Sequence, residues 1–434
     1  MREMKDSGIE WIGNISSKCT LVPLKFFLED KDSIKVGPFG SQLSGNDFAD
    51  EETDYWVYNQ RTVIDNEYKI GNAFIHKEKY DLMTSFQVHT DDILITTRGT
   101  IGKISKVPNL HKKGVLHPCI IRFRIDSNKY SYKLLEIIFN KSDFITRQIL
   151  YKSNATTIEV IYSETLKNII IPYFDINIQN TIADFLDSKC SEIDGLISDI
   201  QKQITTLEEY KRSVITESVT KGLNPDAEMK DSGVDYIEKM NSKWKLTKLR
   251  YICNKLNRYF DSNAEALICS NKGEVFPRGE NSIGLVSDND KMFQGVCKGD
   301  LLIHGMDTWH GAIAISDYNG KCTNVVHVCD SMQNKRFICY YLQMLAFKSV
   351  YKAISNGVRE NTSDFRSWDK AGNIYITLPT IEEQNKIAEY IHNQVNQINS
   401  IISEKKQQIE AIDDYKKSLI FEYVTGKKEV YVNE

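Results

Sequence analysis

Several signatures of known protein classes are missing from this 434-residue sequence. No uninterrupted apolar run approaches the roughly 18 residues that a membrane-spanning helix needs. The charged N-terminus is not followed by the apolar stretch of a secretory signal. The nine cysteines are odd in number and include no C-x-x-C pair, which argues against a disulfide framework and a structural zinc site. These absences favour a cytoplasmic protein with reduced thiols and no bound metal.

Motifs for catalysis are missing as well. Gly-Thr-Ile-Gly-Lys-Ile at 99–104 is too short for a phosphate-binding loop and lacks the hydroxyl after its lysine. A methyltransferase acting on exocyclic amines is expected to hold its base with a Pro-Pro-containing loop, and the sequence has no Pro-Pro. Pro-Asp-Ala-Glu-Met-Lys at 225–230 resembles a nuclease metal site, but such sites draw their two parts from separate strands. We therefore predict no catalytic residue and no metal site.

The charge is nearly balanced overall and basic in places. Fifty-five Lys and Arg against 59 Asp and Glu leave a formal charge of −4, which excludes a uniformly basic nucleic-acid binder. Residues 91–159 nevertheless hold twelve basic and six acidic residues, and 243–260 hold six basic residues and no acid. Localised contact with phosphates explains this distribution better than a uniformly solvated surface.

An internal repeat organises the chain. Met-Lys-Asp-Ser-Gly-Ile-Glu-Trp-Ile at 4–12 recurs at 229–237 as Met-Lys-Asp-Ser-Gly-Val-Asp-Tyr-Ile, an offset of 225 positions. The segments that follow each copy, roughly 26–165 and 251–370, show no clear match to each other. The chain therefore consists of two copies of one repeated unit, and we call the repeated segments the frame and the unlike segments between them the inserts.

A second repeated block, at an offset of 205, has the pattern of long helices. Gln-Asn-x-Ile-Ala at 179–183 matches 384–388, and Glu-Glu-Tyr-Lys-Arg-Ser at 208–213 matches Asp-Asp-Tyr-Lys-Lys-Ser at 413–418. Apolar residues continue at steps of mostly three and four, at Ile182, Leu186, Ile193, Ile197, Ile200, Ile204, Leu207 and Val214, and again at Ile387, Ile391, Ile398, Ile402, Ile409, Ile412 and Leu419. This spacing is typical of the apolar face of a coiled-coil helix. Two helices of roughly 60 Å would bury these apolar faces against each other. Two separate helices, each lying on its own domain, are the alternative.

The inserts have the composition of mixed α/β domains. Runs of β-branched and aromatic residues, bounded by glycines, predict strands at 56–58, 92–97, 120–125, 168–171, 300–303, 312–315, 324–328 and 373–379. The segments 134–150 and 336–354 are each predicted to form one helix. The sequence thus predicts an α+β protein with two mixed α/β domains and two long helices.

The repeated arm resembles the signature of the specificity subunits of type I restriction-modification systems. Other segments similar to this family are the Gly-Pro-Phe-Gly-Ser loop at 37–41, Arg-Gly-Thr-Ile-Gly-Lys at 98–103, Gly-Asp-Leu-Leu-Ile at 299–303, and the joint Val-Thr-Lys-Gly-Leu-Asn-Pro at 219–225. The resemblance covers essentially the whole chain. It has three departures, namely Cys19 in place of Trp244, Ile178 in place of Glu383, and no Gly-Pro-Phe-Gly-Ser loop at 281–290.

The resemblance implies two target recognition domains separated by two long helices, which pack as an antiparallel coiled coil in a pseudo-two-fold fold. The expected segments are an N-terminal arm and first recognition domain (1–172), a helical spacer and linker (173–228), a second arm and recognition domain (229–379), and a second helical spacer and tail (380–434). Each domain would bind one half of a bipartite double-stranded DNA target, and the helices would set the spacing.

The resemblance also implies that the chain is not itself an enzyme. Two modification (methyltransferase) subunits would dock on the helices and restriction (motor-nuclease) subunits would join them. S-adenosylmethionine, ATP and magnesium would belong to those partners. Two other classes stay open, a coiled-coil adaptor with two protein-binding domains and a stand-alone DNA methyltransferase or nuclease.

Polar side chains on glycine-rich turns are the candidates for contact with DNA, because Arg, Asn and Gln suit bidentate hydrogen bonding to base edges. In the first insert the candidates are Ser41, Gln60, Arg61, Arg98 and Lys103, with Lys112 and Lys113 from the basic stretch. In the second insert they are Arg278, His304, His310, Arg359 and Asn361.

Overall fold

The computed structural model describes residues 3–30, 32–109, 112–153, 160–279, 293–355 and 365–430. The chain divides into two units, of which unit 1 comprises Met1–Asp199 and Gln407–Glu434 and unit 2 comprises Ile200–Lys406. Within the described ranges, no helix combines the length and the apolar character that crossing a membrane requires.

In the described residues, ten strands and six α-helices begin in unit 1. The strands are β1 (Met4–Asp6), β2 (Asn14–Ser16), β3 (Thr20–Pro23), β4 (Lys35–Val36), β5 (Tyr55–Tyr58), β6 (Ile93–Thr96), β7 (Ile104–Lys106), β8 (Lys113–Leu116), β9 (Ile120–Phe123) and β10 (Ile170–Tyr173). The helices are α1 (Gln60–Asp65), α2 (Lys77–Leu82), α3 (Tyr132–Glu136), α4 (Phe144–Ser153), α5 (Ser163–Lys167) and α6 (Ile176–Lys221), the last of which ends in unit 2. The predicted strands of this insert are confirmed, with ends shifted by at most two residues.

The described part of unit 2 holds the starts of twelve strands and five α-helices. The strands are β11 (Met229–Asp231), β12 (Lys239–Asn241), β13 (Lys245–Lys248), β14 (Asn254–Leu256), β15 (Leu267–Cys269), β16 (Val275–Pro277), β17 (Phe293–Val296), β18 (Leu301–His304), β19 (Ile313–Ile315), β20 (Gly320–Thr323), β21 (Val326–Asp330) and β22 (Tyr375–Leu378). The helices are α7 (Leu249–Ile252), α8 (Lys335–Phe347), α9 (Val350–Ile354), α10 (Trp368–Ala371) and α11 (Ile381–Val424), the last of which ends in unit 1.

Each unit contains a four-stranded antiparallel sheet with the same strand order. The order is β4-β9-β6-β7 in unit 1 and β14-β21-β18-β19 in unit 2. Both inserts form a sheet of this strand order although their sequences show no clear match. Strand pairing depends on which positions are buried, and different apolar side chains can fill the same buried positions. The pairs β1–β2 and β3–β10 of unit 1 have antiparallel equivalents in β11–β12 and β13–β22 of unit 2. The remaining pairs differ, since β5 and β8 are parallel whereas β15–β16 and β17–β20 are antiparallel.

Two segments predicted as single helices are interrupted. After α3 the chain forms a π-helical turn at Ile137–Lys141 and then leaves the helix at Ser142, whose hydroxyl donates to the carbonyl oxygen of Ile138 at 2.6 Å. Between α8 and α9, Ser349 adopts a left-handed conformation with φ 57°. The helical spacing of apolar residues continues across both interruptions, so the sequence pattern did not predict them. The interruptions follow from a local side-chain hydrogen bond and from one left-handed residue.

The two long helices run antiparallel within each unit. In unit 2, Lys405 Nζ donates to Gln203 Oε1 at 2.5 Å and Lys211 Nζ to Asn399 Oδ1 at 3.0 Å, so rising numbers on α6 meet falling numbers on α11. In unit 1, Lys416 Nζ bonds Asp194 Oδ1 at 2.6 Å. The predicted seam residues are buried or half-buried. This confirms the antiparallel coiled coil.

A buried glutamine joins each insert to its long helix. Gln179 is 0% exposed; its Oε1 accepts the N–H of Ser131 at 2.9 Å, and its Nε2 donates to the carbonyl oxygens of Lys129 at 3.0 Å and Phe174 at 2.7 Å. Ser131 is the residue before α3. The amide is thereby fully hydrogen-bonded, as a buried polar group requires. We call this arrangement the glutamine clip.

The same clip recurs in unit 2. Gln384 is also 0% exposed; its Oε1 accepts the N–H of Asn334 at 3.0 Å, and its Nε2 donates to Gln333 Oε1 at 2.8 Å and to the carbonyl oxygen of Pro379 at 2.9 Å. Asn334 caps α8. The clip is the structural reason for the repeated Gln-Asn-x-Ile-Ala.

The end of each long helix contacts an arm of the repeat. In unit 1 the N–H of Ser16 donates to the carbonyl oxygen of Thr425 at 3.2 Å, just beyond α11. In unit 2, Asn241 Nδ2 donates to the carbonyl oxygen of Lys221 at 3.1 Å, at the end of α6. The two arms therefore hold equivalent positions in their units.

Candidate nucleic-acid interface

One end of each four-stranded sheet gathers the loops between its strands. Because antiparallel neighbours alternate in direction, β4 and β6 end where β7 and β9 begin. The loops at this end of unit 1 are residues 37–44, 97–103 and 117–119, which we call loop end 1. Hydrogen bonds tie them to one another and to β9, from Gly37 N–H to the carbonyl oxygen of Ile120 at 2.8 Å and from Thr97 N–H to that of Cys119 at 3.1 Å.

Two of the predicted DNA-contacting residues meet at loop end 1. Gln60, the first residue of α1, donates from Nε2 to the carbonyl oxygen of Arg98. Asn59 caps α1 by accepting the N–H of Arg61 at 3.0 Å. The side chain of Arg61 is exposed and pairs with Asp65 at 3.3 Å. Arg98 is also exposed, and no carboxylate in the described part of the chain pairs with it, so its guanidinium is available to an anionic or base-edge acceptor.

Two further candidates belong to the same loops. Ser41 is exposed in loop end 1. The backbone of Lys103 lies there too, but its ammonium donates to the carbonyl oxygen of Asn140 at 2.6 Å. Burial lowers the pKa of Lys103, and the nearby Lys416 acts in the same direction. The structure thus groups Ser41 with Gln60 and Arg98, and it turns the charge of Lys103 toward the protein.

The other two lysines of the first insert lie elsewhere. Lys113 begins β8 and pairs with Tyr55, the first residue of the parallel strand β5, whereas Gln60 follows the end of β5. Lys112 precedes Lys113 and its ammonium lies 3.9 Å from the Asp54 carboxylate. Both lysines are exposed at the opposite end of this strand pair from Gln60.

Unit 2 has an equivalent group of loops. Residues 257–263, 305–312 and 324–325 lie where β14 and β18 end and β19 and β21 begin, and we call them loop end 2. The N–H of Gly305 donates to the carbonyl oxygen of Val325 at 2.9 Å, and the N–H of Phe365 donates to that of Gly305 at 3.1 Å. A Cβ on Gly305 would lie 2.9 Å from both of these backbones, so the close approach of the segments requires glycine.

Both predicted histidines belong to loop end 2 or its border. His304 is the last residue of β18, and exposed His310 ends the short 3-10 turn Thr308–His310. Trp309 between them is half-buried and donates from Nε1 to Ser355 Oγ at 3.3 Å. The turn therefore presents His310 from a fixed position.

The remaining candidates of the second insert are not grouped with these histidines. Arg278 follows β16, at the opposite end of the β15–β16 hairpin from the turn whose Asn271 carbonyl approaches Gly311. Arg359 and Asn361 lie outside the described residues.

A histidine with a lowered pKa occurs at both loop ends. Burial lowers the pKa of His117 at loop end 1, and burial lowers the pKa of His304, where Arg366 acts in the same direction against Asp307. Each Nδ1 accepts a backbone N–H at 3.1 Å, from Cys119 and from Asp307. In the neutral form of His117 the proton is therefore assigned to Nε2, which can donate a hydrogen bond. Nδ1 of His304 also lies 3.2 Å from the Asp307 carboxylate.

Part of the basic excess is used inside the protein at the opposite end of each sheet. The carboxylate of Asp92, 0% exposed before β6, bonds Arg124 at 2.6 Å and lies 3.7 Å from Arg122. Buried Asp300, before β18, bonds Arg258, whose guanidinium reaches this carboxylate from loop end 2. Each carboxylate also accepts a backbone N–H from three residues earlier. The Asp of the Gly-Asp-Leu-Leu-like segments is thus structural, and these arginines are not free for phosphates.

Two exposed aromatic residues at the loop ends were missed by the sequence analysis. Phe39 is 75% exposed and Tyr259 is 96% exposed. Phe39 lies inside the Gly-Pro-Phe-Gly-Ser segment, which was noted only for its resemblance. Tyr259 follows β14, which holds the place of β4 in the sheet of unit 2, so the segment after β14 is the counterpart of the Gly-Pro-Phe-Gly-Ser segment. Residues 281–290, where the sequence analysis found no such loop, lie outside the described residues. The strand order was needed to find this correspondence.

Comparison with known families assigns the chain. Residues 25–206 and 241–411 match the family described as "Type I restriction modification DNA specificity domain". The chain belongs to this family. The two matches contain loop end 1 and loop end 2, one specificity domain for each unit, and the chain is accordingly a DNA-recognition subunit.

Individual proteins are similar to this chain over most of its length. The type I restriction enzyme MjaVIII specificity subunit of Methanocaldococcus jannaschii is 25% identical over 430 residues, covering 92% of this chain and 93% of that protein. A chain from a solved structure on complex assembly and conformational transition of the type I R-M system shares the fold with a TM-score of 0.68 at 14% identity, covering 95% of this chain and 99% of that chain. The crystal structure of the HsdS subunit from Thermoanaerobacter tengcongensis aligns with a TM-score of 0.49 at 13% identity, covering 95% and 98%.

Proposed function

We propose that unit 1 and unit 2 each recognise one half of a bipartite double-stranded DNA sequence and that the chain itself is not catalytic. The observation that carries this proposal is the pair of loop ends, which present unlike side chains on two sheets with the same strand order. Loop end 1 offers Gln60 and Arg98, and loop end 2 offers His304 and His310. Because each base pair presents its own pattern of donors and acceptors in the major groove, unlike side chains on equivalent scaffolds suit two different half-sites.

The long helices set the distance between the half-sites. They contain 46 and 44 residues, which corresponds to rods of about 65–70 Å. Their seam is closed by repeated apolar residues and by cross-helix bonds such as Lys211–Asn399. A rod of this length resists bending more than an irregular linker does, so its length translates into a fixed gap.

Two modification subunits dock on the helices at equivalent places. Tyr210 and Tyr415 occupy the same position of the 205-residue repeat and are 52% and 57% exposed, and Ser213 and Ser418 beside them are exposed as well. Packing accounts for the repetition of buried residues but not for that of exposed ones. Tyrosine is enriched at the centres of protein interfaces. Two copies of one surface fit two copies of one partner.

Counting bound modification subunits tests this docking surface. Tyr210→Ala and Tyr415→Ala should each reduce the stoichiometry from two to one, and the double variant should bind none, as measured by native mass spectrometry. Tyr390→Ala is the matched control, since Tyr390 is 41% exposed on α11 but has Phe185 at the equivalent position. Retention of both subunits by the double variant would contradict this surface.

The remaining components belong to the partners. S-adenosylmethionine is bound by the modification subunits, and ATP and magnesium are used by the restriction subunits that join the complex in the cytoplasm. A protein-binding adaptor or a stand-alone enzyme is distinguished by experiment. An adaptor would leave host DNA unmethylated in the presence of the modification subunits, and an enzyme would methylate or cleave DNA without them.

The DNA-recognition proposal is tested by half-specific changes in the methylated sequence. Arg98→Ala should relax positions in one half-site only, at about 1–3 kcal/mol for one lost bidentate contact, and His310→Ala should relax the other half only. Lys113→Ala, an exposed charge at the far end of the β5–β8 pair, is the control and should leave both halves unchanged. Sequencing of methylated bases in host DNA gives the methylated sequence for each of the three variants. Changes spread over both halves by either loop variant would refute the assignment of one half-site to each unit.

A further inference from the structure

An aromatic side chain projects from the same loop in both units. Phe39 lies three residues after the end of β4, and Tyr259 lies three residues after the end of β14, which holds the equivalent place in its sheet. They are 75% and 96% exposed. Packing in a core therefore does not account for aromatic residues at equivalent positions of two otherwise dissimilar inserts.

The backbone beneath Phe39 is fixed on both sides. Its N–H donates to Gln42 Oε1 at 3.0 Å, and its carbonyl oxygen accepts the N–H groups of Gln42 at 2.8 Å and Leu43 at 3.2 Å. Leu43 is buried. On the other side, a Cβ on Gly37 would lie 2.1 Å from the carbonyl oxygen of His117, which shows how closely the loop approaches β9. The ring projects from an anchored turn.

The backbone beneath Tyr259 is fixed by different contacts. The preceding Arg258 bonds the buried carboxylate of Asp300. The following Phe260 lies with its ring centroid 6.3 Å from that of Phe293 in β17. Tyr259 is thus held between two anchored neighbours while its own side chain faces solvent. Both units hold an aromatic ring in place without burying it.

An aromatic ring can contribute what hydrogen-bonding side chains cannot. Every base has a π-face, so stacking tolerates any sequence, whereas polar contacts to base edges discriminate between sequences. This difference explains why the aromatic residue is common to both units while the polar residues of the loop ends differ. Apolar side chains inserted at a base step unstack it and bend the duplex, and enzymes that modify a base take it out of the stack.

We propose that Phe39 and Tyr259 stack on a base step, each in the half-site that its own unit recognises, and open the duplex there. This inference rests on the proposed function. The opened step would lower the cost of extruding the base that a modification subunit methylates. The contact is independent of base identity, so its loss should weaken binding without changing the recognised sequence.

The experiment uses the full chain assembled with its modification subunits and duplexes of the methylated sequence. 2-Aminopurine, whose fluorescence rises when it is unstacked, replaces successive bases in and beside each half-site. Binding of the wild-type complex should raise the 2-aminopurine fluorescence at one base step in each half-site. Phe39→Ala should abolish the signal in one half and Tyr259→Ala in the other, with affinity about tenfold weaker and the methylated sequence unchanged. Phe39→Trp and Tyr259→Phe should keep the signal.

Matched controls come from the opposite end of each sheet. Phe26 and Tyr251 are 60% and 74% exposed. Phe26 lies two residues before Leu28, which bridges to Ile125 beyond the end of β9, and Tyr251 lies three residues before β14 begins. Phe26→Ala and Tyr251→Ala should leave both fluorescence signals unchanged.

Three outcomes would overturn the inference. The first is a wild-type complex that brightens no position, and the second is a signal that survives in Phe39→Ala and Tyr259→Ala. The third is loss of a protein subunit from these variants with unaltered DNA opening, which would make the rings protein contacts. In all three cases a bipartite methylated sequence would leave the proposed function standing, whereas its absence in the wild type would refute the proposed function itself.

Discussion

Removing the glutamine clip should destabilise one unit at a time. Gln179→Leu keeps the size of the side chain but deletes its bonds to Ser131, Lys129 and Phe174. Three neutral hydrogen bonds are worth about 1 kcal/mol each, and a buried N–H without a partner costs about 1–3 kcal/mol. We therefore expect a loss of about 4–6 kcal/mol in the free energy of unfolding of unit 1.

The charged variant Gln179→Glu adds a dependence on pH. Ionised, it would face the carbonyl oxygens of Lys129 and Phe174 with an acceptor where the amide has a donor, whereas the protonated acid can donate to one of them. The pKa of the introduced carboxyl should therefore be raised in the folded state. Its stability should be highest at acidic pH and should fall as pH rises through that raised pKa.

Hydrogen exchange read by mass spectrometry resolves the two units. Peptides around 129–139 should lose protection in Gln179→Leu and peptides around 333–345 in Gln384→Leu, each without affecting the other. Gln407→Leu in unit 1 and Gln397→Leu in unit 2 are the controls, because both side chains are exposed on α11. A Gln179→Leu variant within about 0.5 kcal/mol of the wild type, the usual range for surface changes, would refute the clip.

Three other predictions follow from the repeat and from burial. Inserting four residues near Ile204 and again near Ile409 lengthens each rod by about 6 Å, which should widen the gap by one or two base pairs with unchanged half-sites; sequencing of methylated DNA would show an unchanged gap if the helices do not set it. A circular permutant that starts near Asn224, with the original ends joined by a short Gly/Ser linker, should assemble and methylate the same sequence, whereas an insoluble permutant would contradict the equivalence of the two arms. Burial lowers the pKa of His327, which is 0% exposed and bonded to the carbonyl oxygen of Phe365 at 2.7 Å. The folded state favours the neutral form of His327, so the free energy of unfolding should fall on acidification below about pH 6.5, by at most about 1.4 kcal/mol per pH unit. Urea titrations at pH 7 and pH 5 measure this fall. A fall of equal size in the wild type and in His327→Phe would refute the prediction.

The repeated frame was predictable from the sequence because each repeated residue has one structural task. The Asp-Ser-Gly of the arm is a turn in which Asp6 accepts the N–H of Gly8 at 3.0 Å, and Asp231 does the same for Gly233 at 2.8 Å. The apolar period of α6 and α11 likewise follows from one buried seam. Local signals and periodicity were sufficient for these elements.

The departures between the copies could not be interpreted without the structure. Trp244 donates from Nε1 to Glu383 at 3.1 Å, and its ring packs on the glycine that ends α6. In the first copy Cys19 and Ile178 replace this pair, and Phe174 packs on the glycine that ends α11. The two substitutions are therefore coupled through one packing site, which sequence comparison records as separate differences.

The candidate site was predictable in kind but only partly in position. Gln60 and Arg98 were chosen for their chemistry, and the structure joins them. Arg278, chosen for its chemistry, and Lys112 and Lys113, chosen from the basic stretch, lie elsewhere, because composition does not tell which end of a strand pair a loop occupies. The exposed aromatic residues were missed for the same reason.

The most direct test of the central claim is the methylated sequence itself. DNA from a host that expresses this chain with its modification subunits should be methylated at one motif made of two unlike specified blocks separated by a fixed unspecified gap, and omission of the chain should abolish that motif. A single continuous motif, a gap of variable length, or methylation that persists without the chain would contradict recognition of two half-sites by two units.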